Sequence, residues 1–307
     1  PCLRGKALQA YAASGIETDH ESMSWDEARE KLRAGINLPV RQGSASRNLT
    51  AIIKGVLAEG VDVSGLSFCT DDKHLAAIHS EGTIRNCVKM AVELGMNPVR
   101  AIRIGSVNAA RIYGLKRLGA IAPGWQADIV VFNNLQDLQP LYVFHKGIDA
   151  IKEAAKVERS VPALELRGSV RPEDVSEKVF TMDIKQDAEY HVIDMLPGEI
   201  FTEHAVLKGR EVQKGLTDGT VHFIAVLERH HGTGDVGLGL IRGYGLKNGA
   251  VATTVAHDSH NLIVLGSNPK DMSVAAQELV RVQGGYTIVK NGITVTLPLS
   301  ICGLMST

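Results

Sequence analysis

The sequence predicts an α/β protein in two parts: a run of parallel βα units, then a separate α+β domain. Three observations predict it. In the first third, short apolar runs alternate with helix-like segments, and each run stops at polar or charged residues, which suggests a parallel barrel rather than a sandwich. From about residue 152 to 189 the composition turns more charged and loses its periodicity, with Pro162 and Pro172 inside, so this stretch reads as a linker and a domain boundary. Beyond it, an amphipathic Asp271–Val282 precedes two strand-like runs, Tyr286–Val289 and Ile293–Leu297, flanking Asn291-Gly292, a strong hairpin signal.

The elements follow in order. Tyr11–Thr18 reads as strand-like and leads into Asp19-His20-Glu21. Ser24-Trp25-Asp26-Glu27 is a capping box, opening a helix that ends near Gly35. Ile36–Val40 is a short strand ending at Arg41, and the polar loop Gln42–Asn48 follows. Leu49, Ile52, Ile53, Val56 and Leu57 fall at helical spacing and predict a helix over Leu49–Ala58. Gly65–Thr70 is the third strand and Thr83–Leu94 the helix after it. A helix ends near Gly114, Pro123-Gly124 turns the chain, and Ile129–Phe132 is a buried strand. Past the linker, Tyr190–Met195 and Val221–Leu227 read as strands. Gly232–Gly245 holds six glycines; structural turns are the expectation, and a nucleotide-binding loop is the rival. Ala256–Asn261 then forms a polar loop or corner before the strand Leu262–Leu265.

Composition bounds the function. A net charge of −1 over 307 residues gives no electrostatic case for nucleic acid or membrane partners. Cys2, Cys69, Cys87 and Cys302 lie far apart and read as reduced thiols of a cytoplasmic protein. No apolar run approaches the ~20 residues of a membrane span. The chain opens at Pro1 without an initiator Met, as expected of a fragment or processed piece.

Chemistry concentrates in Ser67–His74, where a buried strand delivers Asp71 and Asp72 at its C-terminal end. Parallel barrels place catalytic groups there, and such an acid binds a metal or takes a proton from water. The plainer alternative is that both aspartates cap the next helix. His20 ends the first strand-like segment and so shares that rim. Imidazole plus carboxylate suits Zn, Mn or Fe, and two ligands do not choose among them.

Ser106–Arg111 and Leu118–Phe132 closely resemble the segment that leaves the barrel in the amidohydrolase superfamily. Gly5–Tyr11, Thr18–Glu21, Phe68–Asp72, Glu228-Arg229-His230, Ala256–Asn261 and Ile301–Met305 together resemble the bacterial adenine deaminase family. The resemblance spans nearly the whole chain. It implies the C-terminal part of a (β/α)8 barrel over residues 1–105, a return to a small β-sandwich over 106–160, and a family-type C-terminal domain over 161–307. It implies hydrolytic deamination of adenine in purine salvage, with a divalent metal, binuclear Mn or Fe, or else Zn. His20 and Asp71 correspond to the metal-binding histidine after barrel strand six and the aspartate after strand eight, and Asp71 also to the base. The resemblance further implies His20 as a metal ligand or the holder of the hydroxide, Glu21 and Asp72 as orienting groups or an additional metal site, and His257, Asp258, His260 and Asn261 as contacts to the purine. The family's His-x-His pair, bridging acid and strand-five histidine do not occur here, and Gln42 stands where the family carries an acid. The implied partners are therefore the missing N-terminal half of the barrel, adenine and further copies of the chain. Residues 1–307 alone are expected neither to fold stably nor to deaminate. The alternatives are another amidohydrolase acting on a cyclic amide or amidine, and a non-catalytic fragment that needs a partner chain.

Overall fold

The structure is a computed structural model that describes residues 3–154, 156, 168–196 and 202–306. The chain divides into two compact units, Pro1–Ser160 and Val161–Thr307, and each is described by itself.

The first unit opens with helix α1, Gly5–Ala13. This corrects the strand expected from Tyr11: four alanines in nine residues favour helix. The strand shrinks to one parallel bridge, Thr18 with Asn37, where Asp19 N–H donates to Asn37 O and Asn37 N–H to Glu17 O. Helix α2, Trp25–Arg33, is capped by Ser24, whose side chain accepts from Glu27 N–H. Strand β1, Leu38–Arg41, leads to helix α3, Leu49–Glu59, and strand β2, Leu66–Cys69. β1 and β2 pair in parallel, with Leu38 opposite Leu66 and Arg41 opposite Cys69. Both are buried almost throughout, as parallel strands covered on both faces must be. Four helices follow: α4 Leu75–Glu81, α5 Ile84–Glu93, α6 Pro98–Ile104 and α7 Val107–Ile112. Leu38, Val40, Leu66 and Phe68 form one core with Ile52, Ile53 and Val56 of α3 and Cys87, Val88 and Ala91 of α5. Each large aliphatic side chain here contributes about 1.5–3 kcal/mol by leaving water. Asn108 of α7 donates to the carbonyls of Val63 and Leu66 and locks the start of β2. Strands β3 Ile129–Phe132, β4 Pro140–His145 and β5 Ile148–Asp149 make a three-stranded antiparallel sheet, and helix α8, Ala150–Ala154, follows.

In the second unit, strands β6 Glu189–Met195 and β7 Thr202–Lys208 precede helix α9, Gly209–Asp218. Strands β8 Val221–Leu227, β9 Val236–Arg242, β10 Ala250–Thr253 and β11 Leu262–Gly266 follow, then helix α10, Pro269–Val282. Strands β12 Gly285–Lys290 and β13 Ile293–Pro298 close the series. The eight strands form one sheet in the order β13-β12-β10-β11-β8-β9-β6-β7, in which only β6 and β9 run parallel. Asn291 and Gly292 both take positive φ, 54° and 74°, as the two-residue turn between β12 and β13 requires.

Two expectations are corrected here. The stretch read as linker is partly core: a 3-10 turn, Glu177–Phe180, buries Phe180 fully in the cluster that holds Met272, Leu279 and Val264, and Val175, Val179 and Met182 pack against that cluster. Its apolar residues are spaced too irregularly among charges to read as an element; residues 155 and 157–167 of that stretch lie outside the described ones. The glycine-rich run is the second correction. Gly237 and Gly239 sit inside β9 opposite Val226 and Ile224, so the run is neither all turns nor a loop that opens a helix.

Candidate active site

The C-terminal ends of β1 and β2 carry the cluster. Arg41, only 3% exposed, ends β1 and points its guanidinium at two carboxylates. It donates to Asp71 Oδ2 at 2.8 Å and to Glu21 Oε1 and Oε2 at 3.3 Å each. His20 Nε2 lies 3.2 Å from Glu21 Oε1. Arg41 thus joins Asp71 to Glu21, and His20 lies beside Glu21.

The loop carrying His20 and Glu21 is tied down from below. Lys31 of α2 is buried and donates to Asp19 Oδ1 and Glu27 Oε1, both at 2.9 Å. Asp19 Oδ1 also accepts from Glu21 N–H, while Glu27 Oε2 accepts from Met23 N–H. The buried Asn48 accepts from Arg41 N–H at 2.7 Å and donates to Ser22 O at 2.6 Å and His20 O at 3.4 Å. Burial pushes the Lys31 ammonium down, but Glu27 and Asp19 outweigh it and leave its pKa raised.

Asp71 sits in the left-handed region, φ 52°, where a non-glycine residue is uncommon and where functional sites store strain. Its loop packs on Gly43, where a Cβ would meet Thr70 O at 2.8 Å and Asp72 O at 2.9 Å, so glycine is needed there. The capping alternative fails: His74, with no side-chain bond, is the N-cap of α4. Asp72 is exposed, and its carbonyl accepts from Ser44 N–H. Gln42 is buried and its N–H donates to Cys69 O. Burial, then the Asp71 charge, pushes the Cys69 thiol up to about 12, so it is no nucleophile at neutral pH.

Sequence reasoning missed Arg41, Lys31 and Asn48. The signals were a basic residue closing an apolar strand, Lys31 four residues after Glu27 on one helix, and Asn48 just ahead of α3.

His257, Asp258, His260 and Asn261 lie in the second unit, in the loop from β10 to β11. His257 Nδ1 and Asp258 Oδ1 are 2.6 Å apart, and their side chains are 70% and 87% exposed. His260 takes φ 49°, and its carbonyl accepts from Arg229 Nε. His230 Nε2 lies 3.0 Å from Ser259 O. Glu228 accepts from the N–H groups of His230, His231, Gly232 and Thr233.

Imidazole and carboxylate at His20 and Asp71 have the donor chemistry of a divalent transition ion. Among the described residues, however, no group of three or more metal-binding side chains comes together, and Arg41 already engages Asp71 Oδ2 and both Glu21 oxygens. The described residues therefore do not make a metal centre by themselves. Nor, among them, is any helix long and apolar enough to cross a membrane.

Residues 6–158, which carry the parallel strands and their acidic rim, match the Amidohydrolase family, and that likeness implies a divalent metal. Residues 199–307 match the Adenine deaminase C-terminal domain. The chain is 39% identical over 309 residues to an adenine deaminase of Desulfitobacterium hafniense and 40% identical over 314 residues to one of Halalkalibacterium halodurans. These alignments take in 100% and 99% of this chain and 54% and 53% of the relatives. The chain is similar to adenine deaminases along its whole length, and it spans about half the length of the curated relatives it matches. Among solved structures it is similar to a β-aspartyl dipeptidase of Fervidobacterium islandicum at 18% identity and a TM-score of 0.39, over 53% of this chain and 48% of that one.

Proposed function

We propose that the protein carrying this chain deaminates adenine hydrolytically, giving hypoxanthine and ammonia, in purine salvage. The observation that carries the reading is Asp71: a carboxylate at the C-terminal end of a parallel strand, gripped on one oxygen by the buried Arg41. Relatives named adenine deaminase, alike along both units, support adenine over a cyclic amide as substrate. Asp71 accepts the proton of the water that adds to C6 and delivers it to the departing amino nitrogen; general acid–base steps of this kind contribute roughly 10²–10⁴-fold. With Arg41 on Oδ2, we assign the proton to Oδ1. Glu21 and Asp72 orient the water and substrate, and His257–Asn261 contact the purine.

His20 and Asp71 are further assigned as two donors to the divalent metal of the family, a binuclear Mn or Fe centre with Zn as the alternative. The remaining donors would come from outside the described residues. On the same reading, Thr18, β1 and β2 mark the last three strands of a (β/α)8 barrel, and β3–β5 are part of a small β-sandwich.

The test is adenine-dependent ammonia release by the protein that carries this chain, wild type against Asp71→Asn, with cytosine and a dihydropyrimidine as competing substrates. Turnover of adenine that Asp71→Asn abolishes is the expected result. Near-normal turnover by the variant, or a preference for a cyclic amide, would overturn the reading.

A further inference from the structure

Three stretches of the second unit that the sequence sets apart, Glu228-Arg229-His230, Ala256–Asn261 and Ile301–Met305, meet at one side chain. Arg229 is 1% exposed, among the largest fully buried side chains described. Its bonds go to carbonyl and hydroxyl oxygens: Nε to His260 O at 2.5 Å, Nη1 to Ser169 O at 2.6 Å and Ser169 Oγ at 3.0 Å, and Nη2 to Cys302 O at 3.1 Å. A guanidinium is a rigid fork of donors, and such charge-assisted bonds are roughly twice as strong as neutral ones. Here the fork spans three chain segments that lie 31 to 73 residues from Arg229. The turn at Cys302-Gly303 is shaped to admit it: a Cβ on Gly303, at φ 72°, would lie 3.2 Å from Nη1 and 3.1 Å from Thr254 Oγ1.

The consequence falls on the β10–β11 loop. Arg229 holds it at His260 O and His230 meets it at Ser259 O, both backbone atoms. The side chains of His257 and Asp258 are left outward as an imidazole–carboxylate pair. A loop pinned by its backbone presents its side chains in one arrangement, which is how a binding loop avoids an ordering cost on association.

We propose that Arg229 is a positioning residue for adenine binding, fixing the Ala256–Asn261 loop so that His257 and Asp258 meet the purine without rearrangement. This rests on the reading that the protein deaminates adenine through that loop. Arg229 acts through His260 and touches no reacting atom.

The test compares wild type, Arg229→Met, Arg229→Lys and Ser169→Ala in the protein that carries this chain. KM and kcat for adenine and backbone amide exchange over 256–261 are measured on folded material. Arg229→Met should raise KM about tenfold or more with a much smaller change in kcat, the mark of lost binding shared by ground and transition states. Arg229→Lys keeps the charge without the fork and should fall between. Exchange at the His260 amide should quicken in the same order. If Arg229→Met does not fold, Arg229→Lys and Ser169→Ala carry the comparison, each with a smaller rise. A KM unchanged within about twofold in every folded variant, whatever the loss of melting temperature, would overturn the proposal. A wild type that releases no ammonia from adenine would overturn the adenine reading instead. Exchange then judges the anchor alone: unchanged exchange in the variants sinks it too.

Discussion

Arg41 and Asp71 meet at 2.8 Å across the ends of two neighbouring parallel strands, and the guanidinium is buried while the carboxylate is part exposed. Arg41 thereby holds Asp71 and Glu21 on one charge, with Nη1 donating to both. Replacing it by Met should leave two part-exposed acids without their shared cation and cost about 1–3 kcal/mol of stability, less than a fully buried pair would because water reaches both carboxylates. Arg41→Lys should recover only part of the loss, since an ammonium cannot fork to both carboxylates. Denaturant midpoints and ammonia release measure both effects. An Arg41→Met protein as stable and active as wild type would refute the role.

For Asp71→Asn, size and hydrogen bonding persist while the base is lost. Turnover should drop about 10²-fold or more. Arg41 keeps Glu21 as a partner, so the melting temperature should move far less than in Arg41→Met. A folded variant with normal turnover would pass the base role to Asp72.

Lys31 tests the underside of the site. Its pKa is raised in the folded protein, so its contribution is fully present below the ordinary value near 10.5 and is lost as pH rises through the folded value. Lys31→Met should cost about 3–5 kcal/mol at neutral pH by leaving Asp19 and Glu27 uncompensated. The gap between variant and wild type should hold from neutral to mildly alkaline pH and narrow only above it. A gap that stays constant as pH rises through the alkaline titration would contradict the pairing.

Glu228 has the opposite sign. Burial pushes its carboxyl up, but the backbone N–H groups of His231, His230, Thr233 and Gly232 outweigh that and bring it down to about 2. Its contribution is present above the ordinary value of 4.5 and is lost as pH falls through about 2. Glu228→Gln should therefore melt lower than wild type at pH 7, with the difference shrinking between pH 4.5 and 2. Thermal melts across that range check it, and a constant difference would exclude the carboxylate's charge as its source.

His257 is exposed, so His257→Ala should leave the melting temperature unchanged while weakening adenine binding or turnover. Metal content should stay at the wild-type level. Loss of stability with normal activity per folded molecule would make the loop a turn and nothing more.

Much of this fold was legible because burial writes itself into local pattern. β1, β2 and β8 are largely apolar and buried, Ser24 and Glu27 announce α2, and Asn291-Gly292 announces the last hairpin; β3, Ile129–Phe132, is as apolar but leaves Val130 and Val131 exposed, against the buried strand its sequence suggests. α1 was misread because Tyr11, Ala12 and Ala13 fit a strand as well as a helix end until the alanines before them are counted. β9 was hidden by Gly237 and Gly239, which are poor strand formers and break its apolar pattern. Asp71 and His20 could be found from a rule about strand ends. Arg41, Lys31 and Asn48 could not, because their partners are set by register and helix packing: the pairing of Arg41 with Cys69 that brings its guanidinium to Asp71 is invisible in either strand alone.

Asn48 has both ends of its side-chain amide in use, the oxygen on Arg41 N–H and the nitrogen on the carbonyls of His20 and Ser22. One residue at the head of α3 thus couples the strand end to the His20 loop. The entropy of arranging His20, Glu21 and Arg41 is incurred while the chain folds and not when a substrate arrives. A rim assembled this way behaves as a fixed template: Asn48→Ala should loosen every group on it at once, with no single contact to blame.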